Sequence, residues 1–270
     1  MKNLVLVDFT EESLHALAYA TAFTKEMKGS LAIVNVSKPQ KRLEVREDLE
    51  KLQAKFSTPD FHIKLEELVG EMEQELPDFI EKEKPGFVFC GTHELRLLEP
   101  FFSSRILTLM NSVNANFIFI PKKLETFSPI NEVLVPVFSD KHSIQNIEAL
   151  RYLHQFMPFK IKLITAKSSN PELKANILVA SKLLDQAALP YSVELVGKTE
   201  AELRNGLADT AKLLKSSLIS IVNLTEVNLF NFGEKGFVEN LIRNENGLPI
   251  LVIQNQQVAY YSGFHTTGGY

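Results

Sequence analysis

Apolar and polar positions alternate along this chain in two recurring patterns. Short unbroken apolar runs such as Leu4-Val5-Leu6-Val7 and Ser30 to Val36 suit strands of a parallel sheet covered on both faces. Between them lie longer stretches with a helical period. Leu14, Leu17, Ala18, Thr21 and Ala22 share one face, and so do Val45, Leu49, Leu52 and Phe56. Thr10 caps the first of these helices, with Glu11 and Glu12 in its first turn, and Gly29 stops it. Phe61 to Leu68 alternates as a half-exposed strand does. A third helix follows Gly70 on a stripe of Met72, Leu76, Phe79 and Ile80, with Pro77 in its first turn or at a kink. The strand Phe87–Cys90 breaks at Gly91 into a loop, which enters a helix near Ser103 or Ser104. The strand Asn116–Ile120 closes the series.

The order strand, helix, strand predicts right-handed βαβ units on a parallel sheet. After Pro121 a polar stretch reads as a linker, and the pattern then repeats. Glu132 to Val137 answers Asn3–Val7, and Lys160 to Thr165 answers Leu31–Val36. Leu195-Val196-Gly197 answers Leu68-Val69-Gly70. Leu218 to Val222 and Pro249 to Gln254 answer the last two strands, all at offsets close to 130 residues. An internal duplication accounts for this. The helices of the second half carry their own signals. Asn170-Pro171 is a cap followed by proline, and Thr199 to Glu202 is a capping box ahead of Leu203, Leu207, Ala211 and Leu214. The expected fold class is therefore α/β, with two repeated five-stranded parallel-sheet units over residues 1–124 and 130–255. A tail at 256–270 either moves freely or packs through Tyr260, Tyr261, Phe264 and Tyr270.

Composition narrows the function classes. Residues 1–125 hold 16 Lys/Arg against 20 Asp/Glu, and residues 126–270 hold 13 against 13, so neither half is a basic nucleic-acid domain. No apolar run approaches the roughly 20 residues of a membrane span, and the N-terminus lacks an apolar signal core. One cysteine, Cys90, fits a reducing compartment, so a cytoplasmic protein is expected. The six histidines have no metal-ligand spacing, and His15 and His154 read as helix-surface residues. His93, in the loop beside Gly91, could donate to an anion. The acidic run from Glu66 to Glu83 reads as solvated surface. Neither a P-loop nor a dinucleotide-binding glycine fingerprint is present.

An Asp closing the first strand, with a Gly-led loop after the fourth, resembles the universal stress protein family. The opening Leu4 to Leu17 and the run Asn131 to Val137 both look like the family's start, so the chain resembles a tandem of two such units over about residues 2–254. The resemblance implies an adenine-nucleotide alpha-hydrolase-like fold and two halves paired as an intramolecular pseudo-dimer. A further homodimer or an unknown protein partner stays open. It also implies a site for ATP or AMP in the first half, drawn from Asp8, Phe9, Val36, Gly91, His93, Ser103 and Ser104. Gly236 is the remnant of that site in the second half.

The family's nucleotide motif is Gly-x2-Gly-x9-Gly-Ser/Thr, whose small residues let backbone N–H groups meet phosphate. In the first half Glu94 replaces the second glycine, the spacing is one residue short, and Leu97, Leu98, Pro100, Phe101 and Phe102 make the loop bulky. In the second half Asn223, Glu226 and Phe237 replace the first Gly, the second Gly and the Ser, and Asp140 is the one carboxylate that could stand in for Asp8. The expectation is a non-catalytic stress-response or regulatory module with altered nucleotide loops, its loop space filled by Phe101 and Phe102. A nucleotide-binding protein with weak ATPase activity and a binder of another small apolar ligand are the competing readings.

Overall fold

A computed structural model of the chain describes residues 1–92, 101–124, 127–224, 236–244 and 246–254, with the backbone alone at 101–104. The loop at 93–100, with His93, Glu94, Leu97, Leu98 and Pro100, lies outside the described residues, as do Glu226 and the tail from 255. The first half contains β1 (Lys2–Leu6), α1 (Glu11–Glu26), β2 (Ser30–Ser37), α2 (Arg42–Phe56), β3 (Lys64–Val69), α3 (Met72–Glu83), β4 (Val88–Thr92), α4 (Phe101–Ser112) and β5 (Phe117–Pro121). The second contains β6 (Glu132–Pro136), α5 (Asn146–His154), β7 (Lys160–Thr165), α6 (Pro171–Gln186), β8 (Tyr191–Leu195), α7 (Glu200–Asn205), α8 (Leu207–Leu213), β9 (Leu218–Asn223), α9 (Phe237–Ile242) and β10 (Ile250–Gln254).

The strands lie in the order β3-β2-β1-β4-β5-β10-β9-β6-β7-β8. Each half thus has the same internal order, and the two five-stranded sets are continuous in one sheet. Pairing is parallel within each set and antiparallel at the joint, where Leu251 lies opposite Ile118. The residues explain the joint. Phe117, Ile118, Phe119, Ile250, Leu251 and Val252 are all buried, and an open edge would leave their backbone groups unpaired. A side-chain lock backs it: Asn223 Nδ2 donates to Asn111 Oδ1 at 2.9 Å and to Gln254 Oε1 at 3.1 Å.

One apolar core lies on each face of the sheet, and each runs through both halves. Val5, Ile33, Phe89, Val133, Leu163 and Leu251 belong to the first, under α1, α5 and α6. Leu4, Val34, Val88, Leu134, Ile219 and Val252 belong to the second, under α3, α4, α8 and α9.

Packing altered several local expectations. The buried face of α1 includes Leu17 and Thr21 as expected, together with Ala16, Tyr19, Ala20 and Phe23, while Ala18 is exposed. The linker folds back onto that helix. Phe127 meets Tyr19 edge-on at 5.0 Å, and Lys122 pairs with Glu11 at 2.9 Å. Lys28, not Gly29, takes the left-handed turn after α1, and Gly29 instead gives room to the Met1 carbonyl. Pro77 sits well inside α3 rather than in its first turn. The helix expected after Thr199 divides at Gly206 into α7 and α8. The acidic run is not simply solvated: Lys2 bridges Glu66 at 3.4 Å and Glu83 at 2.6 Å, and Arg42 lies 3.4 Å from half-buried Glu67, whose carboxylate oxygens are buried. His15 and His154 are half-buried, and the His154 ring packs edge-on against Phe159.

Candidate functional site

In each half the strand order reverses direction between two central strands, β1 and β4 or β6 and β9, and the carboxyl ends there mark the crevice position at which open α/β sheets hold ligands. The antiparallel joint sets the two crevices on opposite rims of the sheet.

In the first half, β1 runs out at Val7, whose N–H donates to Val34. Asp8 follows, exposed, and its Oδ1 accepts from the Thr10 N–H at 3.1 Å and from Thr10 Oγ1 at 2.5 Å. Thr10 in turn accepts from the Ser13 N–H, the N-cap bond of α1. The Asp8 N–H donates to Ser13 Oγ at 3.3 Å. The carboxylate is therefore held at the positive end of a helix and stays open to water. Phe9 has a φ of 65°, an uncommon left-handed backbone for a bulky residue, and packs toward the α1 side of the sheet. Val36 packs toward the opposite face. The structure thus brings Asp8 and Phe9 together and sets Val36 across the strand end from them.

Gly91 is not the start of a loop. It lies inside β4, paired in register with Ile120. A Cβ built there would fall 2.3 Å from the Glu12 carbonyl oxygen and 2.4 Å from its carbon. This glycine is required because the first turn of α1 rests on the strand. Helix α4 starts at Phe101, so Ser103 and Ser104 lie in its first turn, just after Phe101 and Phe102. Burial, with the Asp8 carboxylate adding to it, pushes the Cys90 thiol well above its ordinary range. Cys90 is a core residue, not a nucleophile.

Three buried polar side chains near this end had no sequence motif to mark them. Asn35 Nδ2 donates to the Val7 carbonyl at 2.7 Å, while among the described residues its Oδ1 has no hydrogen-bond partner, and neither does Ser37 Oγ. Glu67 lies in register beside Asn35, its carboxylate charge-paired with Arg42 and Arg46. The available signal was polar residues at alternate positions of an otherwise apolar strand.

The second crevice is built differently. Val137 donates to Ile164 as Val7 does to Val34, and the Phe138 N–H donates to Ser143 Oγ as that of Asp8 does to Ser13. Phe138 therefore holds the place of Asp8. Asp140 takes the place of Thr10: it caps a short 3-10 helix, Lys141–Ile144, through the His142 N–H at 2.8 Å, and does not replace the lost carboxylate. The Phe138 ring is buried. Phe237 meets it edge-on at 6.0 Å and the Arg204 guanidinium covers it at 4.3 Å. Glu200 accepts from the Ser139 N–H at 3.1 Å, and Asn176 Nδ2 donates to the Phe138 and Ser139 carbonyls.

Gly236, at the start of α9, has a φ of 102°, which explains the glycine without a ligand. Strand register also corrects the motif alignment. Leu4 pairs with Val88 and Leu134 with Ile219, so Val222 is the counterpart of Gly91 and Asn223 that of Thr92.

Among the described residues no cluster of three His, Cys, Asp or Glu could hold a metal, and no helix is long and apolar enough to cross a membrane.

Sheet order, crossovers and crevice position define an α/β protein of the adenine-nucleotide alpha-hydrolase-like fold. No family model and no curated protein matches the sequence. Solved structures match the fold. A universal stress protein from Archaeoglobus fulgidus aligns with a TM-score of 0.76 at 14% identity, over 94% of this chain and 98% of its own. A functionally unknown protein from Pseudomonas aeruginosa aligns with a TM-score of 0.61 at 12% identity, over 94% of this chain and 92% of its own. The chain thus has the universal stress protein fold along nearly its whole length.

Proposed function

We propose that this protein is a tandem universal stress protein-type module that acts by binding rather than by catalysis, in a stress-response or regulatory role in the cytoplasm. Its units are residues 1–124 and 130–255, joined as an intramolecular pseudo-dimer through β5 and β10. The observation that carries this reading is the second crevice. Phe138 holds the place of Asp8, Phe237 follows Gly236 at the start of α9, and their rings pack edge-on at 6.0 Å. Phe138 is buried where Asp8 stands exposed in the first half, which favours the first half as the place for any ligand. There Gly91 serves helix packing instead of phosphate approach.

Titration calorimetry with ATP and AMP tests the reading. Neither nucleotide is expected to bind in the micromolar range, and no phosphate is released with magnesium above a Ser103→Ala, Ser104→Ala control. Micromolar binding, abolished by Asp8→Ala, would move the function to the second reading, an ATP- or AMP-binding first half. The exposed Asp8 carboxylate beside the helix terminus favours that alternative.

A further inference from the structure

The chain holds two Asn-Gly pairs, Asn205-Gly206 and Asn246-Gly247. In such a pair the glycine nitrogen can attack the asparagine side-chain carbonyl, and glycine has no Cβ to obstruct the approach. The structure treats the two pairs differently. Asn205 ends α7, and the Gly206 N–H is engaged with the Glu202 carbonyl at 3.0 Å. Asn246-Gly247 lies outside helix and strand, in the loop between α9 and β10. Gly247 has a φ of 72°, and among the described residues its N–H makes no hydrogen bond. Asn244 fixes the loop around them. Its Oδ1 accepts from the Asn246 N–H at 3.2 Å and the Leu248 N–H at 3.3 Å, and its Nδ2 donates to the Leu241 and Leu248 carbonyls. The Asn246 side chain reaches α8, where Nδ2 donates to Asp209 Oδ1 at 2.9 Å. Donation to a carboxylate leaves the amide carbon less electrophilic, and this bond must break before Nδ2 can depart.

We propose that Asn246 is a deamidation site restrained by Asp209. The Gly247 nitrogen bonds to Cγ of Asn246, the Cγ–Nδ2 bond breaks, and ammonia leaves with the proton given up by the Gly247 nitrogen. Solvent water then opens the resulting succinimide, at Cγ to give aspartate or at the main-chain carbonyl to give isoaspartate. Either product puts a carboxylate where the amide met Asp209, so a hydrogen bond becomes a like-charge contact. The loop leads directly into β10, and a Cβ built on Gly247 would lie 3.5 Å from that of Lys123 in the linker. The conversion therefore loosens the chain beside the joint of the two halves.

The full chain, held folded in mildly alkaline buffer and then digested, is read by mass spectrometry for aspartate and isoaspartate at each Asn-Gly pair. Conversion at Asn246 is expected to outrun conversion at Asn205. Asp209→Ala is expected to speed it about tenfold at Asn246 and to leave Asn205 unchanged. The Asn205 rate is the internal measure of unfolding, since an opened chain exposes both pairs. Asn246→Asp is expected to lower the thermal midpoint, and Asp209→Asn in the same chain to restore it by exchanging donor and acceptor. Conversion at Asn205 that matches Asn246 overturns the proposal. So does an Asp209→Ala chain whose Asn246 rate is unchanged or rises only together with that of Asn205. An Asn246→Asp chain whose midpoint is unaltered or not rescued overturns it as well.

Discussion

The end of β1 and the end of β6 occupy equivalent places and solve the same local problem with opposite chemistry. In the first half Asp8 is exposed and bonded to the cap of α1. In the second, Phe138 is buried beneath Arg204 and against Phe237. The backbone bonds around the two positions are the same, from the strand N–H to the helix serine. The fold therefore needs only the turn, and the side chain at this position is free to serve either a ligand or the core.

Four tests would break or sharpen this contrast. The largest effect is expected at Phe138. Removing a buried aromatic ring costs about 4 kcal/mol, so Phe138→Ala should lower the unfolding free energy strongly in a urea titration, and Asp8→Ala much less. Equal losses at both positions would show that the two ends are not divided between core and surface. Gly91→Ala comes next at about 3 kcal/mol, because the new methyl would strike the backbone of α1. A neutral result would return this glycine to a ligand role.

The caps should be alike where the crevices differ. Thr10→Ala and Asp140→Ala are each expected to cost about 1 kcal/mol, read from thermal or chemical midpoints. The smallest effect concerns pH. A hydrogen bond from Lys2 holds the Glu83 carboxyl below its ordinary range, so this bridge stabilises the fold above that range and is lost as pH falls through the lowered pKa. Burial works to lower the Lys2 pKa, but bonds and charges from Glu83 and Glu66 outweigh it and raise it, so the lysine side is lost only as pH rises above 10.5. Lys2→Met should lower stability modestly at neutral pH and leave it unchanged below the carboxylate range, so the acid side of the stability curve flattens. An acid limb that keeps its slope would assign that slope to other carboxylates.

Much of the fold was legible in the apolar runs. A strand buried on both faces is mostly apolar, and Leu4–Val7, Leu218–Val222 and Ile250–Ile253 announce themselves, Ser220 being the polar residue among them. The order of elements followed from their alternation. The site was less legible, because its residues act through tertiary neighbours. Gly91 looks identical in sequence whether it admits a phosphate or a helix turn, and only the position of Glu12 decides. Phe138 and Phe237 lie far apart in the chain, and neither announces that it will meet the other. The alignment of Asn223 with Gly91 failed by one residue because loop glycines were matched where strand register was needed. Asn35 and Ser37 carry no motif, and their unpartnered oxygens emerge only once the strand is buried.

The antiparallel joint between β5 and β10 has an evolutionary consequence. In an assembly of two identical chains, every change at the crevice is inherited twice, so one site cannot be surrendered without the other. Fusion at this edge removes that coupling. Each copy can then drift separately while the shared sheet holds them together. Asp8, exposed on one rim, and Phe138, buried on the other, differ in the way such uncoupling allows.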